Sequence, residues 1–260
     1  MALNLSVCVE MIFNNLPFEE RIKAVAAAGY GAFEFWGWSN KDMPAIVKAA
    51  DQAGLTIASL CVEYQGALVD PNNRDNFLAG ARLSIDQAVN YGVKTLIVTT
   101  GNEIPNLSRW AQHDAILTGL QAIAPYAEDK GVTLVLEPLN ILVDHKGYYL
   151  ASSAEGFDIV RAVASPNVKL LYDIYHQQIT EGFLIPTITA NLPLIGHFHC
   201  ADVPGRHEPG TGEINYVNVF RVIAESDYQG YVGLEFMPTG TPEAALAQVR
   251  KIAGFGCCCC

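Results

Sequence analysis

The strongest constraint on this chain is a strict alternation of short apolar segments with longer segments of helical periodicity. Short runs rich in Val, Leu and Ile predict strands that are buried on both faces. Because a helical segment follows each strand, the strands are expected to form a parallel sheet covered by helices. The eight predicted strands are Leu3–Val9, Ala32–Trp36, Leu55–Cys61, Lys94–Val98, Val132–Glu137, Val168–Tyr172, Leu194–Cys200 and Tyr231–Phe236.

Eight strand–helix units within 260 residues match the usual size of one (β/α)8 barrel. The repeat favours a closed barrel over an open doubly wound sheet, and no Gly-x-Gly-x-x-Gly follows the first strand. The sequence therefore predicts an α/β fold with a single (β/α)8 barrel of the TIM type over residues 1–256. The predicted helices are Phe18–Ala28, Met43–Ala53, Asn76–Tyr91, Arg109–Lys130, Ala154–Ala164, Ile185–Asn191, Val217–Ser226 and Pro242–Ile252.

Four consecutive strands end in a side chain that can bind a metal. Glu137 ends the fifth strand, Asp173 follows the sixth, His199 lies near the end of the seventh, and Glu235 ends the apolar run of the eighth. The carboxyl ends of barrel strands meet on one face, which carries the active site. One such carboxylate could form an ion pair or cap a helix, but four sites would bury more negative charge than nearby cations balance. Two glutamates, one aspartate and one histidine favour Mn²⁺ or Mg²⁺, with Co²⁺ also suitable, over a structural zinc.

Other polar and aromatic residues near the strand ends allow two interpretations each. His197 shares a strand face with His199, and it is either a core histidine bonded to a neighbouring strand or part of the site. Glu34 could support a metal ligand or contact the substrate. Trp36 and Trp38 could form an apolar wall for a sugar face or belong to the ordinary core.

Three segments resemble one known family. They are Leu-Glu-Pro-Leu-Asn at 136–140, Tyr-Asp-Ile-Tyr-His-Gln-Gln at 172–178, and Glu-Pro-Gly-Thr-Gly-Glu-Ile-Asn-Tyr at 208–216. Together, and in this order, they resemble the hydroxypyruvate isomerase family of the xylose-isomerase-like barrel superfamily. The resemblance runs from the first strand to the glutamate of the eighth, and it implies that residues 208–213 close part of the pocket.

The resemblance also assigns roles to individual residues. It implies that Glu137 and Glu235 flank the substrate as a catalytic pair and also ligate the metal, with Asp173 as a further ligand. It implies that His176 hydrogen-bonds the substrate oxygens and that Arg206 reaches a substrate oxygen or carboxylate. A homodimer or homotetramer is the assembly expected from the family.

The chemistry expected of such a site is proton transfer beside a carbonyl group. Moving a carbonyl to the neighbouring carbon requires removal of a proton α to it, and a metal on both substrate oxygens would stabilise the resulting cis-enediolate. Glu137 or Glu235 would take the proton, and it or its partner would return it. The expected substrate is a small hydroxy-keto acid, such as hydroxypyruvate or tartronate semialdehyde, or a ketose.

Two positions point to different substrates. Many hydroxypyruvate isomerases have glutamine at the position of His199, whereas the related ketose 3-epimerases have histidine. Those epimerases carry a second glutamate shortly after the ligand of the fifth strand, and Asn-Ile-Leu-Val at 140–143 has none. A 3-epimerase of tagatose, psicose or ribulose type is therefore the main alternative to an isomerase.

Three other functions remain to be weighed. An inosose dehydratase would share the barrel and similar ligands. Apurinic endonucleases of the same superfamily bind three zinc ions through many histidines, and six histidines with a net charge of −11 fit them poorly. A non-catalytic binding protein would retain metal without exchanging substrate protons. With its Lys and Arg scattered, the chain is not expected to bind nucleic acid.

The remaining expectations concern location and cysteines. The N-terminus lacks a basic start with an apolar core, and no apolar run approaches 20 residues, so a cytoplasmic protein without membrane contact is expected. Cys8, Cys61 and Cys200 lie in apolar runs and are expected in the core. The run Cys257–Cys260 is expected to be a disordered tail or an artefact outside the barrel.

Overall fold

The fold is built around a parallel sheet of nine strands that curls into a nearly closed barrel. The computed structural model describes residues 2–254, so the cysteine run at 257–260 lies outside the described residues. The strands are β1 (Asn4–Cys8), β2 (Ala32–Glu34), β3 (Thr56–Ile57), β4 (Leu60–Cys61), β5 (Thr95–Val98), β6 (Thr133–Leu136), β7 (Val168–Asp173), β8 (Ile195–Cys200) and β9 (Tyr231–Leu234). Neighbouring strands pair in the order β3-β2-β1-β9-β8-β7-β6-β5-β4.

The third strand predicted from the sequence is divided into two. β3 pairs with β2, whereas β4 pairs with β5, so the two edges of the sheet come from the same stretch of chain. The chain joins these edges through Ala58 and Ser59: the Ala58 N–H donates to Phe33, and the Cys61 N–H donates to Trp36. This segment closes the barrel with irregular hydrogen bonds, which confirms the barrel prediction but corrects the single strand Leu55–Cys61.

Nine helices lie among residues 2–254, one more than the sequence patterns predicted. The added helix, α6 (Ile174–Thr180), starts directly after β7, in a stretch for which the sequence patterns predict no helix. Asp173 ends the strand and also caps the helix, because its Oδ1 accepts from the N–H groups of Tyr175 and His176. The helices are α1 (Phe18–Ala27), α2 (Met43–Ala53), α3 (Arg74–Asn90), α4 (Arg109–Lys130), α5 (Ser153–Val163), α6 (Ile174–Thr180), α7 (Leu184–Asn191), α8 (Tyr216–Ala224) and α9 (Pro242–Ala253).

Helix ends follow ordinary capping chemistry. Ser108 begins α4 by accepting a hydrogen bond from the Ala111 N–H at 3.1 Å, and Gly131 ends it in the left-handed conformation. Among residues 2–254, no helix combines the length and the apolarity that crossing a bilayer requires.

The barrel interior has an apolar and a polar side. Ile97, Val135 and Leu171 form a small cluster, distinct from the large core that packs the strands against the helices. The opposite side of the interior holds buried polar groups on β1, β2 and β8, including Glu34 and His199. Because side chains alternate along each strand, the same strands supply both the outer core and this inner polar set.

Candidate metal centre and active site

Four side chains converge at the carboxyl ends of four neighbouring strands. Glu137 directly follows β6, Asp173 ends β7, His199 lies in β8 and Glu235 directly follows β9. One ligand atom from each lies within 4.8 Å of the others, and all four residues are buried. The four residues that the sequence predicted as metal ligands are therefore brought together in space, and below they are called the ligand group.

His199 is held from both sides of its ring. Its Nδ1 atom lies 3.3 Å from Glu137 Oε1 and 3.5 Å from Glu235 Oε2. Its Nε2 atom lies 2.9 Å from Glu34 Oε1, an ionic contact without the alignment of a hydrogen bond. Nδ1 is therefore the ring nitrogen that faces the ligand group.

Glu34 is the centre of a second buried cluster below the ligand group. Its Oε2 atom lies 3.0 Å from His197 Nε2 and accepts from the hydroxyls of Ser6 at 2.7 Å and Ser59 at 3.4 Å. His197 is thus a buried histidine of the barrel interior, but its partner Glu34 lies on β2, which β1 and β9 separate from β8, and not on a neighbouring strand. A Cβ atom on Gly233 would collide with Glu34 and with the His199 ring, so the absence of a side chain there makes room for their contact.

Burial and mutual repulsion control the carboxyl groups. Burial raises the pKa of Glu137 above its ordinary value, even though His199 opposes the rise. Burial likewise raises the pKa of Asp173. Glu235 adds to this rise, whereas Arg206 opposes it. Burial would also raise the pKa of Glu235, but His199 and Arg206 outweigh it and lower that pKa. The neighbouring protein groups therefore leave the negative charge of the site only partly compensated.

The pKa values of His199 and Glu34 also reflect the charges that are buried at this site. Burial would lower the pKa of His199, but Glu235 and Glu34 outweigh it and raise the pKa well above its usual value. Burial would raise the pKa of Glu34, but His197 and His199 outweigh it and lower the pKa. A divalent cation suits this arrangement, because three carboxylates and one imidazole form a hard, oxygen-rich ligand set.

Arg206 contributes a positive charge beside the ligand group. It lies in the loop after β8, in a left-handed conformation at φ 57°, and its Nη2 atom donates to Glu235 Oε2 and lies 3.9 Å from Asp173 Oδ2. Its Nε atom is buried without a hydrogen-bond partner among the described residues. Burial would lower the pKa of this guanidinium, but Glu235 and Asp173 raise it, so Arg206 stays charged.

His176 lies in the first turn of α6 and is fully buried. Its Nε2 atom lies 3.5 Å from Asp173 Oδ2 and has no hydrogen-bond partner within residues 2–254. Burial, reinforced by Arg206, lowers the pKa of His176 to about 3, so the ring is neutral. The two residues predicted to bind substrate therefore each place a buried nitrogen without a hydrogen-bond partner among residues 2–254 at the edge of the ligand group.

Two contacts of the site were not predicted. The Trp36 indole Nε1–H donates to Glu235 Oε1 at 2.8 Å, so this half-exposed tryptophan fixes one glutamate rather than only forming an apolar wall. Asn140 contacts the His176 ring. Neither contact has a sequence signal of its own, because each joins residues that follow different strands.

Comparison with known proteins agrees with this fold. Residues 22–252 match the family described as Xylose isomerase-like TIM barrel. The chain belongs to the xylose isomerase-like TIM barrel family. The prediction of that fold and family from the sequence is confirmed.

Relatives within the xylose isomerase-like family resemble the chain over nearly its whole length. The hydroxypyruvate isomerase of Escherichia coli K12 is 32% identical, and the alignment covers 94% of this chain and 97% of that protein. The 2-oxo-tetronate isomerase of Cupriavidus necator is 30% identical, with 97% and 98% covered. These relatives place the chain among the isomerases of the family.

Solved structures of the same fold superpose closely. A crystal structure described as an AP endonuclease, family 2, from Brucella melitensis has a TM-score of 0.91 at 29% identity and covers 96% of this chain and 98% of its own. The D-psicose 3-epimerase of Clostridium cellulolyticum H10, crystallised with D-tagatose, has a TM-score of 0.82 at 20% identity, with 98% and 100% covered. The epimerase is similar in fold alone.

Proposed function

We propose that the protein is a metal-dependent isomerase that moves the carbonyl group of a small hydroxy-keto acid to the neighbouring carbon. The observation that carries this proposal is the placement of Glu137 and Glu235. They come from β6 and β9, strands separated by two others, yet both carboxylates reach the Nδ1 side of His199. Two carboxylates that approach one small space from different strands can face opposite ends of a substrate.

The metal would be held by the ligand group, which consists of Glu137, Asp173, His199 and Glu235. This ligand set favours Mn²⁺ or Mg²⁺. A divalent cation bound there supplies positive charge that stabilises negative charge developing on the substrate oxygens.

The protein groups would carry out the proton transfer. One glutamate of the pair takes a proton from the carbon that bears the hydroxyl, which gives a cis-enediolate. It or its partner then returns a proton to the former carbonyl carbon, while the hydroxyl proton passes to the other oxygen. Atoms and electrons balance without an oxidant or a reductant.

His176 and Arg206 would bind the substrate. Both present buried N–H groups without partners among residues 2–254, and an anionic oxygen would satisfy them. Arg206 also contacts Glu235, so the same guanidinium would hold the substrate and orient one glutamate. This donor set suits a substrate that carries a carboxylate.

A hydroxy-keto acid is favoured over a ketose by two observations. The relatives with about 30% identity are named for hydroxypyruvate and 2-oxo-tetronate, whereas the epimerases share only the fold. The loop after β6 presents Ile141, Leu142 and Val143 as exposed apolar residues, and these offer no carboxylate to sugar hydroxyls.

The test is proton exchange in deuterated water. Protein loaded with Mn²⁺ is incubated with hydroxypyruvate, with 2-oxo-tetronate and with a panel of ketoses, and the products are analysed by NMR. Deuterium on the carbons of the hydroxy-carbonyl pair, together with an aldehyde product from hydroxypyruvate or a 3-oxo acid from 2-oxo-tetronate, is the expected result. Deuterium at C3 of a ketose with inversion would instead indicate a 3-epimerase, and loss of water from a polyol ketone would indicate a dehydratase.

Variants test the assignment of the two glutamates. Glu137→Gln and Glu235→Gln are each expected to lower exchange by about 10²–10⁴-fold, the usual contribution of general acid–base catalysis. Glu19→Gln is the control for the substitution itself, because Glu19 is exposed in the first turn of α1 and lies outside both buried clusters. Undiminished exchange in both site variants would disprove the catalytic roles.

A further inference from the structure

The orientation of the Asn140 side chain is fixed by the backbone around it. Its Oδ1 atom accepts hydrogen bonds from the N–H groups of Val143 at 2.9 Å and Asp144 at 3.2 Å. Because an amide nitrogen cannot accept from these donors, the oxygen must face them and Nδ2 must point the other way. Asn140 is fully buried, so no solvent-facing alternative exists for its amide.

The two hydrogens of Asn140 Nδ2 both have acceptors. One is the Asp144 carboxylate, with Oδ2 at 2.7 Å, and the other is His176 Nδ1, also at 2.7 Å. The backbone N–H of Asn140 points at the same ring nitrogen from 3.3 Å. An imidazole nitrogen that accepts from N–H donors carries no proton, so the proton of the neutral ring must lie on Nε2.

The other ring nitrogen of His176, Nε2, is buried, lacks a hydrogen-bond partner within residues 2–254 and lies 3.5 Å from Asp173 Oδ2. A buried N–H group without an acceptor destabilises a folded protein by about 1–3 kcal/mol, and such groups are rare unless a ligand satisfies them. This N–H group is therefore available to donate a hydrogen bond to an oxygen atom that binds beside the ligand group.

We infer that Asn140 is a positioning residue that keeps His176 a neutral Nε2–H donor directed at a substrate oxygen. The identity of the acceptor as a substrate oxygen rests on the proposed function. Which ring nitrogen carries the proton depends on the protein alone. A neutral donor can strengthen its hydrogen bond as the substrate oxygen gains negative charge, without placing a second cation next to Arg206.

Further hydrogen bonds beside His176 anchor the loop that carries Asn140. The Tyr175 hydroxyl donates to Asp144 Oδ2 at 2.9 Å, and the Gln177 side-chain amide donates to the Pro138 carbonyl at 3.3 Å. The loop after β6 is thus joined to the first turn of α6 on both sides of His176.

The decisive experiment exchanges the two side chains, as Asn140→Asp with Asp144→Asn. The exchange preserves net charge, nearly preserves volume and keeps an amide–carboxylate hydrogen bond between the two positions. It replaces the side-chain N–H that lies 2.7 Å from His176 Nδ1 with a carboxylate oxygen, which favours a proton on Nδ1 over the longer contact with the remaining backbone N–H at 3.3 Å. Asp144→Asn alone is the matched control, because it leaves the Asn140 donor in place.

The readout is the long-range proton–nitrogen NMR spectrum of protein labelled with ¹⁵N-histidine, metal-free and with Mg²⁺, which is diamagnetic. The signals of His176 are assigned by their loss in His176→Gln. We expect wild type and Asp144→Asn to show an unprotonated Nδ1 and a protonated Nε2, and the exchange variant to show a protonated Nδ1. A protonated Nδ1 in wild type, or an unchanged ring in the exchange variant, would overturn the inference.

Kinetics provides a second readout that general destabilisation would not reproduce. The exchange variant is expected to lose about 10²-fold in kcat while its midpoint of thermal unfolding and its Mn²⁺ affinity stay near those of Asp144→Asn. If the exchange variant does not fold, the wild-type spectrum alone still decides the state of the ring. Absence of proton exchange by wild type with every substrate would disprove the proposed function without affecting the ring assignment.

Discussion

The Glu34 carboxylate lies 2.9 Å from Nε2 of His199, on the side of the ring opposite to Glu137 and Glu235. A carboxylate behind a histidine places the ring proton on the rear nitrogen and leaves the front nitrogen free to bind a metal. Glu34 is held in turn by Ser6 and His197. The polar side of the barrel interior thus supports the ligand group from below.

Glu34→Gln should weaken Mn²⁺ binding by about 10–100-fold, because the amide carries no charge to hold His199 in this orientation. Isothermal titration calorimetry of the metal-free protein with Mn²⁺ measures the effect. Glu19→Gln, which changes an exposed carboxylate outside both clusters, should bind Mn²⁺ as wild type does. Equal affinities for wild type and Glu34→Gln would exclude a role of Glu34 in the site.

Mn²⁺ should stabilise the protein against heat, because it relieves the excess of buried negative charge in the ligand group. At 100 times its Kd, a ligand that binds only the folded state contributes about 2.7 kcal/mol. In a chain of this size that corresponds to a rise of about 5–10 °C in Tm. Differential scanning calorimetry with Mn²⁺ and with EDTA measures it, and Glu235→Gln should lose most of the rise. A Tm that does not respond to Mn²⁺ would argue against the metal centre.

The ligand group could be located from the sequence because each member ends or nearly ends an apolar strand. The carboxyl ends of parallel strands lie on one face, so the positions of Glu137, Asp173 and Glu235 along their strands were enough to bring them together. The alternation of strands and helices predicted the barrel for the same reason. Both inferences depend on order along the chain and not on precise register.

The supporting contacts could not be predicted, because they depend on register and on loop geometry. Glu34 reaches His199 across β1 and β9, and Gly233 leaves space for that contact. Asn140 meets His176 only because α6 starts without a loop after β7. That start depends on Asp173 both ending a strand and capping a helix, a dual role that the residue type does not reveal.

Glu155 should make stability depend on pH in the acidic range. Burial would raise the pKa of Glu155, but hydrogen bonds from His113 and Arg109 outweigh it and lower the pKa below its ordinary value of 4.5. A lowered pKa in the folded state stabilises the protein above about pH 4.5, and this contribution is lost as the pH falls through the folded value.

The measurement for Glu155 is urea unfolding of wild type and Glu155→Gln between pH 7 and pH 3. Wild type should be the more stable at pH 7, and the difference should shrink below about pH 4.5. Glu19→Gln, at an exposed position in the first turn of α1, should follow wild type throughout. A difference that stays constant with pH would show that the charge of Glu155 does not contribute.

Arg206→Gln should have opposite effects on metal binding and on catalysis. The guanidinium bonds to Glu235 and lies 3.9 Å from Asp173, so it repels a cation in the ligand group. Two unit charges of the same sign about 4 Å apart repel each other by about 4 kcal/mol at an effective dielectric constant near 20. Its removal should therefore tighten Mn²⁺ binding about tenfold or more, whereas kcat/KM should fall about 10²-fold because a substrate oxygen loses its donor.

Arg206→Lys separates these two effects. It keeps the positive charge, so its Mn²⁺ affinity should stay near that of wild type. An ammonium cannot reproduce the planar fork that contacts Glu235 and that we propose to bind a substrate oxygen. Its kcat/KM should therefore lie between those of wild type and Arg206→Gln. Weaker Mn²⁺ binding in Arg206→Gln would contradict the prediction, because it would mean that the guanidinium holds the carboxylates in place for the metal more than it repels the cation.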